Sequence, residues 1–420
     1  MQFRYIGRRL IAAASMVGLS LLGISCGASN TIDFVYVTSN LLNPGQINVF
    51  EVNSQSGALR QIADSPYPSG GRNPVDEVTS PNGKNLYVVN HDDNTIVEFA
   101  IGTDGKLYPT QTVNTPGTEP VALAINSAGT ELYVLDYYAP SAPGEPSFTD
   151  LNPGPGAIVA YPISLSSKGV GTIGSPQSLG ASNYLPVQCF PTSLTVTPNG
   201  NFIYVTNTNA VVVTTSPPVT GTVPTLPASC PASGTVSAFS VSSSVVTEVA
   251  GSPFTTGTGS QPTGIVPDPD NASIYVTDSA LNQLYTFSIQ SSGALSLAGT
   301  VATGAMPMGG TIVSPATSSK FLYISNFTGG SLSIYNLTSG MPALITTSSA
   351  AAPGPLCMVA DPNTNRYLYT SDYIGGTIGG AELNPSTGTL IANQNSPYPT
   401  SGQPTCVAAI THPGGNNHGL

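Results

Sequence analysis

Ser80-Pro81-Asn82-Gly83-Lys84-Asn85-Leu86-Tyr87-Val88-Val89-Asn90 reads as a tight turn feeding a short strand. Asn-Gly supplies the backbone angles that a hairpin turn needs. The apolar run after it is short, bounded by turn residues and rich in Val and Tyr, which favours a strand. Its Tyr recurs in Val35-Tyr36-Val37-Thr38, Leu132-Tyr133-Val134-Leu135, Ile203-Tyr204-Val205-Thr206, Ile274-Tyr275-Val276-Thr277, Leu322-Tyr323-Ile324-Ser325 and Leu368-Tyr369-Thr370-Ser371. Seven copies at intervals of 46 to 71 residues are an internal repeat.

Outward from each Tyr strand the unit completes itself. Upstream, Pro74, Pro120, Pro191 and Pro262 each stand thirteen residues before a Tyr, Pro355 fourteen and Pro307 sixteen, each opening an apolar strand. Downstream, Ile47–Val52, Ile96–Ile101 and Leu284–Ile289 alternate with the period of two of a half-buried strand. Turns such as Ser56-Gly57-Ala58-Leu59, Asp104-Gly105-Lys106-Leu107 and Ser292-Gly293-Ala294-Leu295 then lead to a fourth. Four antiparallel strands per unit describe a propeller blade.

The termini are complementary halves. Gln403-Pro404-Thr405-Cys406-Val407-Ala408-Ala409-Ile410-Thr411-His412-Pro413-Gly414-Gly415 repeats the opening of a unit and stops before any Tyr strand, whereas Asp33-Phe34-Val35-Tyr36 has no Pro strand before it. The expectation is an all-β, seven-bladed β-propeller over residues 33–413, closed by pairing of its N- and C-terminal strands. A superhelical solenoid, the alternative, needs distinct polar caps.

Residues 1–25 read as a signal peptide. Arg4, Arg8 and Arg9 precede an apolar run from Leu10 to Ile24, shorter than the roughly 20 residues of a membrane span. Leu22-Gly23-Ile24-Ser25-Cys26 resembles a lipobox, which makes Cys26 the lipidation site, residues 26–32 a short tether and 414–420 a tail. Ordinary secretion and an uncleaved anchor are the alternatives. The expected location is the cell envelope, with the membrane as a partner through the lipid. Beyond residue 25 the chain has seven basic against twenty-one acidic residues, net −14, too few cations to neutralise phosphates; nucleic acid is excluded as a partner.

Four cysteines remain. An even count in an oxidising compartment favours two disulfides, and repeat positions suggest Cys189–Cys230 and Cys357–Cys406, the second if the Cα atoms approach within about 7 Å. The spacings do not resemble a zinc site, and no metal or cofactor is expected.

Tyr204-Val205-Thr206-Asn207, Tyr275-Val276-Thr277-Asp278 and Tyr323-Ile324-Ser325-Asn326 resemble the YVTN-repeat propellers. Residues 80–90 and Gly251-Ser252-Pro253-Phe254 resemble the lactonase family of seven-bladed propellers, which includes 6-phosphogluconolactonase and carboxymuconate-lactonizing enzymes. The resemblance spans residues 33–413 and implies a lactone hydrolase working in the central channel. Active members carry His-Pro-His where a blade opens. Here the flanks are Asn73/Val75, Glu119/Val121, Phe190/Thr192, Gln261/Thr263, Met306/Met308, Gly354/Leu356 and Gln403/Thr405, and the only Arg residues beyond the signal segment are Arg60, Arg72 and Arg366. A ligand- or protein-binding scaffold is therefore the first expectation and a lactonase the second, with a protein, carbohydrate or lactone as the partner.

Three residues are candidates for chemistry at the channel mouth: Glu119 or Asp76 as a general base, and Arg72 to orient a carbonyl or carboxylate. Asp76 and Glu77 are neighbours on a strand, face opposite ways and form no dyad. Asn90-His91-Asp92-Asp93-Asn94 offers hard oxygen ligands but sits at a turn, and Asn or Asp follows the Tyr by three residues in six of seven units. Insertions over 137–156 and 208–234 rise from one face, and Tyr137, Tyr138, Phe148, Tyr184 and Phe190 are the candidate binding aromatics.

Overall fold

Each of the seven units forms one antiparallel sheet in the computed structural model, which describes residues 30–150, 152–179, 182–208, 230, 233–316, 319–338, 340–349 and 351–413. The signal segment, Cys26 and the tail 414–420 lie outside the described residues. Blade 1 runs from the axis outward as Gln403–Thr411, Thr31–Asn40, Gln46–Asn53 and Leu59–Gln61. Blades 2 to 7 occupy 74–114, 118–189, 191–248, 262–302, 307–348 and 355–392, each in the same four-strand order. The first strand begins at Thr31, so the last two residues of the expected tether belong to the sheet.

The ring closes through blade 1. Val35 pairs with Ala409, Tyr36 with Ala408 and Val37 with Val407, so the C-terminal strand supplies the inner edge of a sheet that the N-terminus builds. The seven innermost strands touch their neighbours in an unbroken circle. Closure of this kind completes blade 1 and leaves the inner edges of the sheets crowded around one axis.

The apolar cores lie between sheets. Phe34, Tyr36 and Val49 of blade 1 pack on Leu86, Val88 and Phe99 of blade 2, while Val35 and Val37 on the other face pack on Tyr369 and Ile378 of blade 7. Period-two alternation thus buries both faces of a strand against two different neighbours.

The repeated Tyr has a second task. Tyr36, Tyr204, Tyr323 and Tyr369 donate hydroxyl hydrogens to the carbonyls of Gly105, Gly293, Gly388 and Gly57, each in the turn between third and outer strands of the next blade. Two residues before each of these Tyr stands an aromatic: Phe34, Phe202, Phe321 or Tyr367. It lies on the same glycine so closely that a Cβ there would meet the ring at 2.3–2.5 Å. All four glycines have positive φ. The glycine meets two demands at once: a left-handed turn and an aromatic face on its Cα.

Near the axis every innermost strand breaks register just after its opening position, as between Pro74 and Asp76 or Pro355 and Met358. Such bulges bend a strand where its neighbours crowd it. The crowding is severe at Gly264, where a Cβ would lie 1.9 Å from the Met308 carbonyl oxygen.

Candidate functional site at the channel mouth

Innermost strands begin, and second strands end, at the same end of the ring, the mouth. The residue before the opening Pro has left-handed backbone at Asn73, Glu119, Phe190, Met306 and Gly354. The described loops between second and third strands, including the blade 3 insertion, rise around these positions, while residues 209–229 and 231–232 of the other insertion lie outside the described residues.

Inside the mouth, hydroxyls join blade to blade. Thr405, Thr192 and Thr263, each directly after an opening Pro, donate to the carbonyls of Pro74, Pro262 and Pro307 on the next blade at 2.8, 3.0 and 2.7 Å. Thr277 and Ser325, two residues after their Tyr, reach the carbonyls of Met308 and Leu356 at 2.8 and 2.9 Å. Blades 2 and 3 have Val89 and Leu135 at that second position. There Asp76 makes the link: one oxygen accepts the N–H of Leu123 on blade 3 at 2.8 Å, the other the N–H of Glu77 at 2.9 Å. Glu77 turns the other way and accepts the N–H of Thr38 on blade 1 at 3.3 Å. Burial pushes Asp76 up to about 7, against the pull of its two N–H bonds, and holds Glu77 well above the usual carboxylate range.

The candidates for chemistry do not converge. Arg72 points outward, half-exposed, and closes on Asp93: Nε and Nη2 lie 2.7 and 2.6 Å from Oδ1, and the backbone N–H of Arg72 donates to Oδ2. Nη2 also donates to the Asp92 carbonyl. Hydrogen bonding from Arg72 holds Asp93 below its ordinary range. Glu119 hydrogen-bonds neither Asp76 nor Arg72; its N–H donates to Asn94 Oδ1 at 2.7 Å and its Oε2 lies 3.9 Å from His91 Nε2. Burial raises the Glu119 carboxyl, and the charges of Asp150 and Asp92 add to that.

The structure adds two residues to this group that were not singled out as site residues from the sequence. His91 bridges Asp92, at 2.8 Å, and Glu119. Asp150, from the blade 3 insertion, accepts the Tyr138 hydroxyl at 2.9 Å. Nothing in the repeat pattern marks either, because one comes from a turn and the other from an insertion. His91-Asp92-Asp93 is a single helical turn ended by left-handed Asn94. Among the described residues no group of three or more His, Cys, Asp and Glu converges as a metal site.

The aromatic residues divide. Tyr137 packs on Tyr138 and Phe190 with ring centroids 4.8 and 5.8 Å apart, beside the Cys189–Cys230 disulfide. Tyr138 and Phe190 are 0% and 2% exposed, so they hold the insertion down and present no binding face. Phe148 covers Gly154 and Tyr184 donates to the Pro140 carbonyl, both within the blade 3 connections. The second disulfide joins Cys357 and Cys406, whose Cα atoms are 5.0 Å apart on neighbouring innermost strands.

Basic side chains are segregated along the axis. Arg60, Lys84, Lys106, Lys168, Lys320 and Arg366 all lie at turns or strand ends opposite the mouth, leaving Arg72 as the mouth's lone Lys or Arg among the described residues. Asp92, Asp93, Glu119, Glu145 and Asp150 are at the mouth.

The family model for lactonase, a seven-bladed β-propeller, matches residues 28–138. No curated protein matches the chain in sequence. Among solved structures, a provisionally assigned 6-phosphogluconolactonase from Bacteroides fragilis superposes with a TM-score of 0.65 at 19% identity, over 91% of this chain and 99% of its own. A provisionally assigned 6-phosphogluconolactonase from Bacteroides uniformis gives 0.65 at 18%, over 91% and 100%. The periplasmic gluconolactonase of Pseudomonas aeruginosa gives 0.66 at 15%, over 91% and 100%. At such identities the likeness establishes a shared fold and leaves chemistry to the site. With that family model on its opening blades and solved propellers matched over 91% of its length, the chain is a seven-bladed β-propeller similar in its first blades to the lactonase family.

Proposed function

We propose that this chain is a binding propeller of the cell envelope, exported by residues 1–25, held to the membrane by lipid on Cys26, and engaging a protein or carbohydrate partner at its mouth. One observation carries the reading. Two of the three candidate groups for lactone chemistry are committed elsewhere: Arg72 to Asp93, and both Asp76 oxygens to backbone N–H groups. A hydrolase needs its base and its oxyanion donor around one reacting atom. Two disulfides fit an oxidising compartment, and the net charge of −14 beyond residue 25 argues against nucleic acid.

A second reading, lactone hydrolysis in the channel, draws on the family model and on the Glu119–His91 pair, a carboxylate and an imidazole 3.9 Å apart at the mouth. One assay separates the two. Sugar and aromatic lactones are offered to the wild-type chain and to Glu119→Gln, Asp76→Asn and Arg72→Ala variants. The binding reading expects no turnover above the spontaneous rate. Turnover abolished by Glu119→Gln rejects it in favour of the hydrolase. The tether is tested by metabolic labelling with a fatty acid, which Cys26→Ser should abolish.

A further inference from the structure

The mouth is divided into two unlike sectors, and the division goes further than the binding reading on which this inference rests. Blades 2 and 3 bring Asp92, Glu119 and Asp150 to the rim, with Arg72, paired to Asp93, as its one Lys or Arg among the described residues and His91 between Asp92 and Glu119. Blades 5, 6, 7 and 1 bring hydrocarbon. Leu281 is 46% exposed, Ile374 58% and Leu41 72%, each at the tip of a loop between second and third strands.

The loops that carry Leu281 and Ile374 are joined through blade 6. Asn282, beside Leu281, accepts the Met306 N–H at 2.7 Å; Met306 sulfur receives the Thr328 hydroxyl; and Phe327, beside Thr328, lies 6.3 Å from the ring of Tyr373, beside Ile374. Leu41 has φ of 72°, a left-handed backbone costly for a branched apolar side chain, and that side chain meets water rather than a core. Single exposed leucines are ordinary; three exposed apolar tips on loops around one opening, facing an acidic sector, mark an interaction surface.

We infer that the mouth docks a cationic amphipathic polypeptide segment, its basic side chains toward blades 2 and 3 and its apolar side chains toward the arc from Leu281 to Leu41. Charge complementarity selects the occupant: an acidic sector repels phosphorylated sugars and acidic peptides and draws lysine and arginine. The chain's own geometry argues against a lipid surface. Asn30 leads into the first strand at the end opposite the mouth, and the four links from Cys26 to Asn30 span at most about 14 Å. A lipid on Cys26 therefore puts the mouth on the side away from the bilayer.

The test is fluorescence anisotropy of the full chain with a short labelled peptide of alternating lysine and leucine, beside lysine–serine and glutamate–leucine peptides. The lysine–leucine peptide should bind saturably, more weakly as salt rises. Combining Asp92→Asn, Glu119→Gln and Asp150→Asn should weaken it about tenfold. Leu281→Ser with Ile374→Ser should weaken it independently, while Asp104→Asn with Asp270→Asn, at the opposite end, should leave it unchanged. Thermal unfolding of each variant separates lost binding from lost fold. No saturable binding, equal binding of the glutamate–leucine peptide, or equal loss from the opposite-end variants overturns the inference. So does capture of phosphatidylcholine vesicles through Leu281 and Ile374. These outcomes leave the lactone assay to judge the binding reading separately.

Discussion

The Tyr369 hydroxyl donates to the Gly57 carbonyl at 2.8 Å, joining residues 312 positions apart across the seam between blades 7 and 1. The link is one of four equivalents, and it makes each turn glycine a contact of the blade before it. Tyr369→Phe removes one of the two donors to that carbonyl, leaving Asn393 Nδ2 at 3.0 Å, and should cost about 1 kcal/mol. Gly57→Ala should cost more, about 2–4 kcal/mol, because the methyl needs a left-handed backbone and meets the Tyr367 ring. Gly200→Ala is the control: its φ is also positive, 74°, but nothing lies within 4 Å, so only the conformational cost of about 1 kcal/mol remains. Urea midpoints of the three variants test the order; equal losses at Gly57 and Gly200 would remove the aromatic contact from the explanation.

The two disulfides should behave differently on reduction. Cys357–Cys406 ties the closing strand to blade 7, within the ring itself, and spans 49 residues. Cys189–Cys230 anchors an insertion and spans 41. Loop-closure entropy is similar for both, about 4 kcal/mol. The difference lies in what opens. Cys357→Ser with Cys406→Ser should lower the global unfolding midpoint. Cys189→Ser with Cys230→Ser should first expose the insertion to protease while the ring stays folded. Limited proteolysis read beside the melting curve distinguishes them, and a shared pattern would contradict the assignment.

Much of this fold is legible in the residues. The Tyr strand, repeated seven times, and the half-unit at Gln403–Thr411, completed by the N-terminal strand, fix blade number and closure because both are local signals. The pairing of Phe34, Phe202, Phe321 and Tyr367 with the next blade's glycine is equally present in the sequence, but only the neighbouring sheet gives it meaning. The mouth is less legible. Arg72 and Asp76 are two blade positions close in sequence, yet their side chains leave in different directions, one to a solvent-facing turn and one between blades. Asp150 and Tyr138 meet through an insertion whose path no repeat dictates.

Asp76 should matter to stability rather than to turnover. It supplies between blades 2 and 3 the link that threonine and serine hydroxyls supply elsewhere. Asp76→Ala leaves the Leu123 N–H without its acceptor and should cost about 1–3 kcal/mol. Asp76→Asn retains an acceptor oxygen and should cost less. Replacing Val89 by Thr in the Asp76→Ala background restores a hydroxyl at the position of Thr277 and Ser325 and should recover part of the loss. No recovery would mean that the hydroxyl belt and the carboxylate are not equivalent.

The buried carboxylates set the direction of the pH response. Asp33, on the first strand, is 0% exposed and faces the charge of Asp361; burial first and that charge second raise it to about 8, against the pull of the Asn363 backbone N–H. Burial likewise raises Asp76, Glu98, Asp136 and Asp372 to about 7. In the unfolded chain these groups titrate near 4. Between about pH 4 and 8 the folded state therefore binds more protons than the unfolded state, and stability falls as pH rises. Their contribution is fully present below the unfolded value and is lost as pH climbs through 7 and 8. Urea midpoints should thus be higher at pH 5 than at pH 8.5. Asp33→Asn, which stays neutral at both, should flatten that difference. A midpoint that rises with pH, or a slope that Asp33→Asn leaves unchanged, would show that Asp33 is ionised and solvated in the folded ring.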